Sequence, residues 1–169
     1  MPEVTVRRRV PVSLKDLNIA TGTWTYTNSS GLLYMLKTAA DETSVITYTL
    51  PIARRSDQFG IKLIGIYNPI RVTTANLDAA PTSVIYRNDF DLVVAGASGD
   101  VTTATITTTN NGVVTADAND RMLITTVDSP EWDHATEAEC NYTHSLTLDC
   151  AAGTVVRIYP PIVVYDELV

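Results

Sequence analysis

The side chains able to do chemistry in this 169-residue chain are few and widely spaced. His134, Cys140, His144 and Cys150 include the ligand types of a structural zinc site, but no Cys-x2-4-Cys knuckle joins them. A helix followed by a straight strand would scatter the four. No metal is expected, and His144 on an apolar strand face reads as a core imidazole. Asp89 and Asp91 flank Phe90 and would share one strand face, the arrangement that paired carboxylates need for acid-base work. At a strand start they read as solvated acids. Asp117-Ala118-Asn119-Asp120 offers three oxygen-bearing side chains in four residues, yet lacks the glycine pivot and distal glutamate of a calcium-binding hand, so a hairpin turn is expected there. No nucleophile elbow, zinc-protease helix, phosphate-binding loop or dinucleotide turn is present. The chemistry points to a non-enzymatic protein without a cofactor.

Binding chemistry is better supplied. Nine arginines against three lysines favour protein interfaces, because a guanidinium pairs bidentately with carboxylates and tolerates partial desolvation. Arg7, Arg8, Arg9, Arg54 and Arg55 are the candidate partner-contact residues. The chain carries a net charge of −7, strand alternation splits each arginine run between two faces, and no aromatic ladder accompanies them. Nucleic acid is therefore not the expected partner. Residues 1–87 carry +4 and residues 88–169 carry −11. This split predicts opposed surfaces that meet in an assembly, provided the fold keeps the two halves apart. Trp24, Tyr26 and Trp132 are stacking candidates for a sugar, although Trp24 and Tyr26 share a strand face that suits a core equally well.

The elements that must position these residues are strands. Thr, Val and Ile contribute 55 residues, a third of the chain, and β-branched side chains suit pleated, half-buried surfaces. Tyr142, His144, Leu146, Leu148 and Cys150 alternate with polar residues, as do Ile46, Tyr48, Leu50 and Ile52. Val4, Val6, Val10 and Val12 share a face with Arg8, making residues 1–12 an N-terminal arm or edge strand. Ile61–Tyr67 is apolar on both faces and reads as central. Further strands are expected at Thr23–Thr27, Val84–Arg87, Leu92–Ala95, Val101–Thr109, Val113–Ala116, Met122–Val127, Thr154–Tyr159 and Ile162–Tyr165. Asn110-Asn111-Gly112 predicts a hairpin, and Pro160-Pro161 a break. Ser129-Pro130-Glu131 predicts a surface helix running to Glu139, and Ser13 a shorter turn. The expected fold is all-β: one antiparallel β-sandwich domain over residues 1–169, with one or two short helices.

Cys140 and Cys150 stand roughly 30 Å apart along such a strand at about 3.3 Å per residue, whereas the Cα atoms of a disulfide lie within about 7 Å. Free thiols are expected, as in a reducing compartment. The start of the chain lacks the apolar stretch of a secretory signal, and no apolar run approaches the length of a membrane span, so neither export nor a membrane is expected. Asn28-Ser29-Ser30 and Asn141-Tyr142-Thr143 match the glycosylation pattern, which arises by chance in a chain this rich in Thr.

At Gly60-Ile61-Lys62-Leu63-Ile64-Gly65-Ile66-Tyr67, at Ala75-Asn76-Leu77-Asp78-Ala79-Ala80-Pro81-Thr82 and along Ser145 to Tyr159 the chain resembles small β-rich virion proteins of tailed bacteriophages. Many such proteins are head decoration or cement subunits, or fibre components. The resemblance covers about two-thirds of the chain, mostly from residue 60 onward. The Arg7–Arg9 run and residues 129–139 fall outside it. It implies a jelly-roll-like sandwich, trimers seated on capsid symmetry axes and no enzymatic activity. The expected function is a viral structural protein: a capsid decoration subunit made in the host cytoplasm, which oligomerises and stabilises the head by binding the major capsid protein lattice at the virion surface. The alternative is a carbohydrate-binding β-sandwich module of a phage fibre or cell-surface protein.

Overall fold

Cys140 to Cys150 form the strand that their alternation predicts, with every even residue buried and every odd one half-buried. The computed structural model describes residues 4–38, 40–52, 60–90, 101–111, 119–135 and 139–169. Thirteen strands among them make two antiparallel sheets packed face to face, a β-sandwich. In chain order, the larger sheet takes β1 (Thr5–Pro11), β3 (Trp24–Ser29), β4 (Leu32–Lys37), β6 (Gly60–Thr73), β9 (Thr108–Asn111), β10 (Asp120–Val127), β12 (Val155–Ile158) and β13 (Ile162–Leu168). The smaller takes β2 (Asn18–Thr21), β5 (Glu42–Thr49), β7 (Thr82–Phe90), β8 (Val101–Ile106) and β11 (Cys140–Cys150), in the order β2-β5-β11-β7-β8.

Strand β6 organises the larger sheet. β10 pairs along one side of it and β9 lies beyond β10. On the other side β12 and β13 form one track, interrupted where Pro160 and Pro161 cannot donate ladder hydrogen bonds. β4 and then β3 continue the sheet beside β12, while β1 continues it beside β13. Midway, Ile64 is an extra residue in β6: Val164 faces Gly65 but Tyr165 faces Leu63. At this bulge β10 approaches so closely that a Cβ on Gly65 would lie 2.2 Å from the Thr125 carbonyl oxygen.

Both sides of the sandwich are closed by a segment that changes sheet. Gly22-Thr23 leads from β2 to β3, and Thr107 alone leads from β8 to β9. Gly22 takes φ +94°, and a Cβ there would strike the Ser44 hydroxyl at 2.2 Å. The inner faces supply two apolar clusters, one around Ile66, Ile85 and Val163 and the other around Ile70, Leu146 and Ile158, all fully buried.

Three expectations need correction, while the short turn expected from Ser13 is present. Residues 129–135 form no helix: Asp133 instead makes a reciprocal backbone bridge with Ile61 (2.6 and 2.9 Å), so this run straps the end of the sandwich; residues 136–138 lie outside the described residues. Asn110 and Asn111 sit inside β9 rather than at a hairpin tip, because long-range pairing with β10 overrides the local turn preference. The described helical structure is one 3-10 turn at Leu14–Asp16, where the Ser13 hydroxyl accepts from the Lys15 N–H. The charge halves interleave, since β1 and β6 pair with the acidic β13. Two strands, β2 and β4, went unpredicted. Leu32-Leu33-Tyr34-Met35-Leu36 has no polar alternation to reveal it. The expected strands at 92–95 and 113–116 lie outside the described residues.

Candidate functional site

Alternation along the larger sheet places Arg7, Arg9, Lys62, Arg71 and Arg157 on its outer face, with Asp120 and Asp166. Arg7 lies directly across from Asp166 and grips it bidentately: its Nε donates to Oδ1 and its Nη2 to Oδ2 at 3.0 Å. The hydrogen bond to Asp166 raises the Arg7 pKa further above its already high ordinary value. Lys62 Nζ stands 4.0 Å from the same carboxylate and 4.7 Å above the Trp132 ring. Arg8 points to the inner face, where its Nη2 donates to Glu167 at 2.5 Å and closes the end of the core. Arg9 is exposed, and it engages no carboxylate among the described residues. Arg54 and Arg55 lie outside the described residues.

Arg71 and Arg157 face one another directly across β6 and β12. Like charges in that position destabilise a sheet. Arg157 lies 4.9 Å above the Tyr34 ring, and the buried Nε of Arg71 has no hydrogen-bond partner. Asp120 faces Arg71 from β10, but among the described residues neither cation is within salt-bridge distance of a carboxylate, and both stand on a half-buried surface.

The outer face of the smaller sheet is built differently. Among its strand residues only Asp149 is charged, and Thr, Asn and Ser dominate the rest. They bond to one another: Asn88 Nδ2 donates to Asn141 Oδ1 (2.9 Å), the Thr103 hydroxyl donates to Asn88 Oδ1 (2.9 Å), and Thr43 donates to Asp149 (2.8 Å). Asn141 is thus a half-buried, bonded residue of the central strand rather than an exposed glycosylation acceptor.

Between the sheets lie further titratable groups. Asp133 is 8 % exposed and accepts from the Tyr142 hydroxyl, the Ala135 N–H (2.9 Å) and the Cys140 thiol (3.4 Å), with Arg87 Nη2 at 3.6 Å. The adjoining cleft of about 200 Å3, lined by Leu63, Arg87, Trp132 and Tyr142, is smaller than a typical ligand pocket of roughly 300–1,000 Å3. Asp89 is drawn into an ion pair with Arg87 (2.8 Å); Asp91 lies outside the described residues.

His144 is fully buried against the Tyr48 ring, and burial pushes its pKa down to about 3. Its Nε2 meets the Ser83 hydroxyl at 2.5 Å, Ser83 meets Thr125 at 2.6 Å, and Thr125 reaches the exposed Asn110 at 3.0 Å. The Ser83–Thr125 bond crosses from β7 of the smaller sheet to β10 of the larger, and His144 stands fully buried behind it with no partner on Nδ1. Cys140 and Cys150 are free, buried thiols at opposite ends of β11. Among the described residues, no three His, Cys, Asp or Glu side chains converge as metal ligands.

Trp24 packs on the core, Tyr26 lines an apolar groove with Leu33 and Pro160, and Trp132 lines the cleft beside Asp133.

No family model matches the chain, and no curated protein matches it. Among solved structures, a family 11 carbohydrate-binding module from Clostridium thermocellum, in complex with a β-1,3-1,4-mixed-linked tetrasaccharide, is similar at 11 % identity and a TM-score of 0.30, over 95 % of this chain and 86 % of that one. A superposition so loose says nothing about ligands. The sandwich is established by this chain's own strand pairing.

Lys62, Arg71 and Arg157 escaped the sequence reading because each is an isolated cation, whereas Arg7–Arg9 is a run. The signal was nonetheless present. Each is a charge set between two buried apolar neighbours, Ile61/Leu63, Ile70/Val72 and Val156/Ile158, and so lies on the outer face of a core strand.

Proposed function

We propose that the chain is a non-enzymatic structural subunit, of the capsid decoration or cement type, that oligomerises and docks on the acidic surface of a larger protein lattice such as that of a major capsid protein. One observation carries this reading: a chain of net charge −7 gathers five cations on one outer sheet face, with Arg71 and Arg157 directly opposed. The repulsion between them is offset when a partner carboxylate sits across both. Such a contact is shallow and broad, which suits docking repeated over a lattice.

The test is co-sedimentation with purified capsids of the virus that encodes the chain. Arg71→Glu/Arg157→Glu should weaken binding at least tenfold, and raised salt should weaken the wild type. Thr147→Glu, on the other outer face, should bind as the wild type does. Undiminished binding by the double reversal would overturn the reading.

A further inference from the structure

The strands that end each sheet at the two sides of the sandwich share an unusual composition. Asn18-Ile19-Ala20-Thr21, Trp24-Thr25-Tyr26-Thr27-Asn28-Ser29, Val101-Thr102-Thr103-Ala104-Thr105-Ile106 and Thr108-Thr109-Asn110-Asn111 contain no Asp, Glu, Lys, Arg or Pro. Twenty residues at the chain's overall 18 % would hold between three and four charges. Edge strands of proteins that remain monomeric are commonly blunted by charge, proline or a bulge, because their unpaired N–H and C=O groups are templates for another strand. Here charge and proline fall on β1, which carries three arginines and ends in Pro11, while β2 and β9 are four residues long and β2 has a register shift between Ile19 and Thr21; β3 and β8, six residues each, carry none of these devices. Among the described residues nothing pairs with the outer sides of β2, β3, β8 and β9.

We infer that a second copy of this chain pairs with these edges, β3 of one copy lying against β9 of the next. The inference rests on the proposed assembling role. Three observations select the occupant and the mode. Each side of the sandwich presents two uncharged edges, so one copy's β2/β3 side matches the next copy's β8/β9 side in chemistry, and in each sheet a four-residue strand meets a six-residue one. Every pairing from β9 through β10, β6, β12 and β4 to β3 is antiparallel, so β3 and β9 run in opposite directions. A copy placed alongside with its strand axis retained therefore meets β3 antiparallel, while β2 and β8 meet parallel. Finally, Tyr26 (42 % exposed), Leu32 (51 %) and Leu33 (39 %) cluster on the β3–β4 hairpin, giving this seam apolar surface to bury. Because the two sides differ, the contact is head-to-tail, which gives a ring where the rotation between copies closes and a filament where it does not.

Light scattering and sedimentation velocity of the full chain test this, with Thr25→Lys blocking β3 and Thr109→Lys blocking β9. Both threonines are exposed. Circular dichroism checks folding, and Ser29→Lys and Asn111→Lys are second variants on the same edges. The wild type should have a mass several times that of one chain, and each variant alone should fall to one chain. An equimolar mixture of the two variants retains one good seam and should give a species of two chains. A monomeric wild type at 100 μM overturns the inference, as does a Thr109→Lys variant that keeps the wild-type mass, which would mean β3 pairs with β3. Arg71→Glu/Arg157→Glu should keep its assembled mass, so failure of lattice docking and failure of the seam are told apart.

Discussion

The two outer faces of the sandwich are made by the same alternation from the same β-branched strands, yet they solve opposite problems. On the smaller sheet Asn88, Asn141, Thr103 and Thr143 satisfy one another's donors and acceptors, so that face is complete in the isolated chain. On the larger sheet Arg7 and Lys62 converge on Asp166, but Arg71 and Arg157 face one another and leave a buried N–H unpartnered. A face that satisfies itself is a wall. One that sets two cations against each other leaves part of its charge uncompensated within the described chain.

The layer both faces stand on should give the largest effects. His144 joins the sheets through Ser83 and Thr125 and stays neutral, its pKa pushed by burial from the ordinary 6.5 to about 3. The unfolded chain binds this proton first, so the stabilisation is complete above pH 6.5 and is lost as pH falls towards 3. On the order of 5 kcal/mol disappears across that window. Acid titration followed by urea unfolding should show that slope in the wild type, and His144→Phe should flatten it. An unchanged slope would mean that other groups set the acid limit.

Gly65→Ala should rank next. Its methyl would meet the Thr125 carbonyl, backbone that cannot yield without parting β6 from β10, and a loss of about 3 kcal/mol is expected in thermal unfolding. Both faces should fail in one transition. Separate transitions for the two sheets would show that they do not depend on a common core.

How much of this was legible in the sequence follows from the range of the signals. β11 could be read residue by residue, because alternation is local and one of its faces is buried. β4 could not, because both its faces are apolar: Tyr34 lies under Arg157 while Met35 packs in the core, so its period is hidden. The strap at 129–135 begins like a helix in composition, and only the distant Ile61, Cys140 and Tyr142 make an extended Asp133 the better solution. The arginine run was visible, but β13 claims two of its three members, and the opposed Arg71 and Arg157 lie 86 residues apart in sequence.

On the smaller sheet, Asn88→Ala should cost about 1 kcal/mol. It removes bonds to Asn141, Thr143 and Thr103 while leaving three polar groups that water can partly reach. Urea unfolding at constant slope would measure it. A neutral result would mean that solvent serves that face as well as its own ladder does.

The smallest effect has the opposite sign and tests the contrast between the faces most directly. Arg71→Met keeps an unbranched stem over the sheet and removes both the charge facing Arg157 and the buried N–H that lacks a partner. If the larger face is incomplete in the isolated chain, this variant should be more stable by about 0.5 kcal/mol, the scale of a directly opposed like-charge pair. The part of the gain that comes from the charge should shrink in 1 M salt, where exposed charges are screened within about 3 Å. Arg157→Met should gain less, because it also gives up the Tyr34 ring. A loss of stability in Arg71→Met would mean that the guanidinium is already satisfied within the chain, and the two faces would then differ in composition but not in what they require. A gain in stability accompanied by weaker capsid binding would tie the repulsion to the docking that offsets it.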